Sequence, residues 1–211
     1  MKRSEILFGI MLGITVLSVL SYTIVAPIFG PFETSRAILT SNTFTGLFQL
    51  ALTGVFPLLL IFVLHVESSL KRFSYGMVTF IALKMIFNSI RYAYLMDADS
   101  STFGGLAMPT YLFVIMMIGF LAIIATMVYY LTRYFQFEKD GLVKAALIIV
   151  VVEYLYNLPV LNILRTRLFE SIDIQYLINY GRVIVYVPII INLVLALTIY
   201  ILALREDKEL N

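Results

Sequence analysis

Six stretches of this chain run for more than twenty residues with few charges, at 6–28, 43–66, 75–95, 109–132, 142–163 and 180–204. A hydrocarbon core of ~30 Å is crossed by a helix of ~20 residues at ~1.5 Å rise, so each run is long enough to span one. In water such runs would have to hide apolar surface on every side at once. Composition agrees: 61% of the 211 residues are apolar and 13% are charged, about half the usual quarter for a soluble globular chain. The expected fold class is an all-α integral membrane protein, a six-transmembrane-helix bundle with short loops, forming one polytopic domain over residues 1–211.

The first run needs a separate test, because Lys2 and Arg3 ahead of an apolar stretch also open secretory signal peptides. The run is too long for that reading, and cleavage after Ala26 would place Pro27 where it blocks the cut. A retained helix is expected.

Orientation follows from the basic residues, which collect on the cytoplasmic side of short loops. Lys2, Arg3, Lys71, Arg72, Arg133, Lys139, Lys144, Arg205 and Lys208 share one side of a six-span arrangement, nine of the fifteen basic residues. Arg36, Arg165 and Arg167 lie on the other. Both termini are therefore expected in the cytoplasm, and a cell (cytoplasmic) membrane of bacterial or archaeal type suits the short loops. With tryptophan absent, Tyr22, Tyr92, Tyr94, Tyr111, Tyr129, Tyr130, Tyr134 and Tyr200 near span ends take the interfacial role.

Between spans, 29–42 carries turn chemistry at Gly30, Pro31, Thr34, Ser35 and Ser41 and reads as a loop. Leu164, Leu168, Phe169, Ile172 and Tyr176 recur at helical spacing with charges between them. Two readings fit: an amphipathic helix on the outer surface, or an extracytoplasmic loop with a little helix. Pro57 and Pro159 fall inside the second and fifth runs, matching positions in two three-helix halves, as in inverted-repeat transporters; no residue-level similarity joins the halves. Gly9 and Gly13 form one GxxxG spacing, which permits close helix contact.

Charges inside hydrocarbon cost roughly 2.5–3.5 kcal/mol each on insertion, so the few present are the candidate site. Lys84, Asn88 and Arg91 share one face of the third run, and Glu153, Tyr156 and Asn157 share one of the fifth. Lys84 and Glu153 lie at depths that differ by about 3 Å at helical rise, close enough to pair. With Arg182 entering from the sixth run, Lys84, Asn88, Arg91, Glu153, Asn157 and Arg182 describe a polar strip opening outward. Its excess of positive charge suits a carboxylate, a phosphate or a zwitterionic headgroup, and Asp97 and Asp99 stand at its mouth. The same residues also fit a structural role, with Lys84 and Glu153 as an internal ion pair and Arg91 and Arg182 snorkelling. Asn88, Asn157, Asn162 and Asn192 fit interhelical hydrogen bonding. His65 beside Glu67 reads as a wet interfacial residue, and Glu206 with Asp207 as solvated charge in the tail.

Cysteine is absent and histidine occurs once, which removes thiol chemistry, Cys-based zinc, iron-sulfur and His-rich metal sites. No cofactor is expected. Nor do paired intramembrane acids, an HExxH helix or a nucleotide-binding loop occur, so an enzyme is not expected. A net charge of +2 from scattered basic residues gives no nucleic-acid footprint and no polybasic lipid switch. The expected partners are the lipid bilayer, a small anionic or zwitterionic ligand, and a protein partner or second copy. Transport or solute binding is the leading function. A signalling, assembly or immunity protein with structural charges is the alternative, and a lipid-modifying enzyme using Glu153 as its acid or base comes third.

Overall fold

The computed structural model describes residues 3–20, 62–97, 109–159 and 174–210. Loop 29–42, Pro57, nearly all of the run at 43–66, Asp99, Asn162 and the helically spaced segment 164–173 lie outside the described residues. Five helices are described: α1 (Arg3–Leu20), α2 (Ser68–Asp97), α3 (Thr110–Tyr134), α4 (Gly141–Tyr156) and α5 (Ile174–Glu209). The described residues are therefore all-α. Among the described residues two helices are long and apolar enough to cross a membrane, α3 along its whole length and α2 over Ser68–Ile90.

Local chemistry sets where these helices begin and end. Glu67 accepts from Ser69 N at 2.6 Å and from the Ser68 hydroxyl at 2.8 Å, occupying donors that open α2. Because this cap lies at Glu67, α2 starts seven residues before the run at 75–95 and carries Lys71 and Arg72 in its first turns. The Asp140 side chain accepts from Leu142 N at 2.8 Å and caps α4. At its other end α4 stops at Tyr156, with Asn157 as C-cap at φ −85° and ψ 5°. Leu158 precedes Pro159, which disfavours helical geometry there. The run at 142–163 is thus interrupted near Asn157. In contrast, α5 extends past both ends of 180–204 to span 36 residues.

Packing is built from one seam. Leu70, Phe73, Met77 and Phe80 on α2 alternate three and four apart, Phe87 follows two turns on, and all five are buried. They meet Met116, Met117, Phe120, Ile124, Met127 and Leu131, the matching stripe of α3. Phe80 and Phe120 stand edge to face at 5.1 Å, and Phe87 meets Phe120 at 6.0 Å. Gly76 lets α2 approach α3: a Cβ there would lie 2.5 Å from Met127 Cγ. A second pair forms where α1 lies against α5, with Phe8 and Tyr200 at 4.6 Å. Between the pairs, α4 contacts both α3 and α5. Gly9 and Gly13 do not mediate close contact among the described residues, since a Cβ at either meets nothing within 4 Å.

One end of the bundle gathers the starts of α1, α2 and α4 with the ends of α3 and α5. Arg3 meets Glu206 there, His65 meets the same Glu206, and Arg205 meets Glu138 and Asp140 in the α3–α4 turn. The outward faces remain apolar. On α3, Ile115 and Ile118 are each 61% exposed and Leu121 is 54% exposed; on α4, Leu142, Ile148, Val152 and Leu155 are exposed.

Candidate functional site

Lys84 occupies the position that continues the buried seam of α2, four residues beyond Phe80 and three before Phe87. The helical period that buries the phenylalanines therefore turns this cation toward the interior. Its Nζ donates to Asn157 Oδ1 at 3.1 Å. Asn157 is fixed from its own helix end, because both its backbone N, at 2.9 Å, and its Nδ2, at 3.0 Å, donate to Glu153 O. A cation thus lies at the C-terminal end of α4, where the helix dipole favours it.

Glu153 sits one turn back on α4 and is half-buried, as are Lys84, Asn88, Tyr156 and Asn157. Lys84 is near enough to act on Glu153 electrostatically. Its described hydrogen bond nevertheless goes to Asn157, and the ion pairs among the described residues do not include Lys84 with Glu153. Lys84 of α2 and Asn157, the C-cap of α4, thus meet, and the helix end at Asn157 supplies the hydrogen-bond acceptor. Phe80 and Tyr154 close the group one turn toward the shared end, their rings edge to face at 4.7 Å. Arg91 falls on α2 two turns beyond Lys84, and Arg182 falls on α5; their side chains lie outside the described residues, as do those of Asp97 and Asn192.

A second polar constellation, at the shared end, was not legible as a site. Arg205 Nη1 donates to Glu138 Oε1 at 2.8 Å, and its Nη2 donates to Asp140 Oδ2. The Tyr134 hydroxyl donates to Glu138 Oε2 at 2.6 Å, and Asp140 N donates to Glu138 Oε1 at 2.8 Å. Burial pushes the Glu138 carboxyl up, and the Tyr134, Asp140 and Arg205 donors outweigh it, holding the group below its ordinary value. The Asp140 carboxyl is also lowered, first by the Leu142 N–H and further by Arg205.

Beside it, Glu206 Oε1 accepts from Arg3 Nη1 at 3.0 Å and from His65 N at 3.2 Å, and lies 2.6 Å from His65 Nδ1. Ser4 N donates to Asp207 Oδ2 at 3.2 Å. Glu206 is therefore not a solvated tail charge: its side chain is 14% exposed, while that of His65 is 85% exposed. The available signal was the shared side of the six-span arrangement, which carries every one of these groups. Among the described residues no three His, Asp or Glu side chains gather as a metal site.

No protein-family model, curated protein or solved structure matches the chain.

Proposed function

We infer that the chain is a six-span membrane protein of the cytoplasmic membrane that binds a small anionic or zwitterionic solute, as a carrier or as a solute-binding subunit. The observation that carries this reading is the end of α4 at Tyr156, inside an apolar run, with Lys84 of α2 seated on Asn157 at that break. Interrupted helices that expose polar groups at mid-membrane are how many transporters build a site in hydrocarbon. Glu153 and Asn88 flank the break, and Arg91 and Arg182 would extend the strip outward to take a carboxylate or phosphate.

Two features favour the membrane setting. The exposed faces of α3 and α4 carry Ile115, Ile118, Leu121, Leu142, Ile148 and Val152, which hydrocarbon tolerates and water does not. The chain also leaves the shared end along α1 and is back at it by His65, as alternation through six spans demands.

The test is native mass spectrometry of protein released from its own membrane in mild detergent. A discrete small anion or zwitterion should accompany wild type and be lost from Lys84→Met and Arg91→Ala variants that remain folded. Wild type free of small molecules, or variants that keep the same adduct, would overturn the solute reading. A stoichiometric protein partner in place of the adduct would turn the assignment to signalling or assembly.

A further inference from the structure

We propose that Arg72 and Arg133 form a binding site for the phosphate headgroup of an anionic phospholipid at the shared end of the bundle. The two arginines are distant in sequence, on the first turns of α2 and the last turn of α3, yet they stand over neighbouring rings. The Arg72 guanidinium lies 5.3 Å from the Tyr130 ring centroid and that of Arg133 lies 5.4 Å from the Tyr129 centroid. The two rings pack edge to face at 5.2 Å. A guanidinium laid over a ring is positioned by it and keeps its N–H fork free for a pair of oxygens.

Among the described residues no carboxylate pairs with either fork. The neighbouring acids are engaged elsewhere: Glu67 by Ser68 and Ser69, Glu138 and Asp140 by Arg205, and Glu206 by Arg3 and His65. Both arginines are exposed.

The surface leading to them identifies the ligand as a lipid rather than a free phosphate. Along α3, Ile118, Leu121 and Val128 are exposed at the spacing that continues to Tyr129 and Arg133. Acyl chains would lie along that stripe while the phosphate reaches the two guanidinium groups. Scattered basic residues in the sequence thus become a paired site only when α2 and α3 align.

This proposal rests on the membrane setting above, not on the solute site. The experiment counts lipids retained on detergent-solubilised protein by native mass spectrometry, after addition of dioleoyl-phosphatidylglycerol or dioleoyl-phosphatidylcholine. Wild type should favour the anionic lipid by about tenfold, and R72Q/R133Q should lower that preference to about twofold or less. R133Q alone, at an exposed position, should give an intermediate loss and serves if the double variant misfolds. Equal retention of the two lipids by wild type, or an undiminished preference in R133Q, would overturn the site. Inorganic phosphate that displaces the anionic lipid at equal concentration would overturn the lipid assignment. Wild type that leaves membranes in alkaline carbonate would overturn the membrane setting itself; retention there with no lipid preference would overturn the arginine site alone.

Discussion

Arg205, near the end of α5, donates to Glu138 Oε1 at 2.8 Å in the turn between α3 and α4, joining residues 67 positions apart in sequence. The same guanidinium reaches Asp140, the residue that caps α4. One side chain therefore fixes the end of one helix against the start of another. The Glu138 side chain is only 4% exposed, so its charge depends on these donors.

Arg205→Ala should lower stability by about 2 kcal/mol, because it strands a buried carboxylate that Tyr134 and Asp140 satisfy only in part. Arg205→Lys should recover less than half, since a single ammonium does not reproduce the fork to Glu138 and Asp140. Thermal unfolding in detergent, followed by circular dichroism, measures both. An Arg205→Ala variant as stable as wild type would refute the latch.

Glu138 and Asp140 are both held below their ordinary values. A depressed carboxyl contributes stability that is present above its unfolded value of about 4 and is lost as pH falls through the folded value. Melting temperature should therefore fall as the medium is acidified below about pH 4, and Glu138→Gln should show a shallower fall over the same window. Parallel curves for the two proteins would exclude Glu138 as a source of the acid limb.

The absence of cysteine makes single-cysteine labelling clean. Ser68→Cys, Lys139→Cys and Lys208→Cys should all react with an impermeant maleimide from the same, cytoplasmic face, because these positions belong to the shared end. Thr110→Cys, at the opposite end of α3, should react from the other face. Labelling of Ser68→Cys and Lys139→Cys from different faces would contradict the bundle.

Lys84→Met should destabilise the protein by about 2 kcal/mol, since it removes the cation that serves Asn157 and acts on Glu153. Adding Glu153→Gln should restore more than half of that loss. Without any rescue, the two residues are energetically independent and the electrostatic coupling is of no consequence.

Gly76 and Gly13 separate close packing from open surface. Gly76→Ala should cost about 1–2 kcal/mol despite alanine's better helix propensity, because buried Met127 has to move away from the new Cβ. Gly13→Ala, which meets nothing within 4 Å among the described residues, should be neutral or slightly stabilising. Melting temperatures of the two variants decide it, and equal effects would deny the close approach of α2 and α3.

Much of the candidate site was legible because helical spacing is local. Lys84, Asn88 and Arg91 share a face of α2 whatever packs against it, and the phenylalanines that precede Lys84 mark that face as interior. The acceptor for Lys84 was not legible. Treating 142–163 as one continuous helix made Glu153 the expected partner, whereas the helix end ahead of Pro159 turns Asn157 into the C-cap and sets its amide beside Lys84. Proline's effect on its predecessor was readable in principle. Membrane helices tolerate proline often enough that the residue by itself did not mark an end.

Among the described residues, the apolar runs marked where helices with largely apolar surfaces form, and the basic residues marked the helix ends that gather at one end. Those properties depend on residue type and short spacing. Tertiary structure alone decided the contacts between distant segments: Arg3 with Glu206 across 203 positions, Arg205 with Glu138, and two arginines on adjoining tyrosines. The physical reason is that such pairs form only once α1 lies against α5 and α2 against α3. Helix placement is governed by how Gly76, Met127 and the phenylalanine seam pack, information that no local spacing carries.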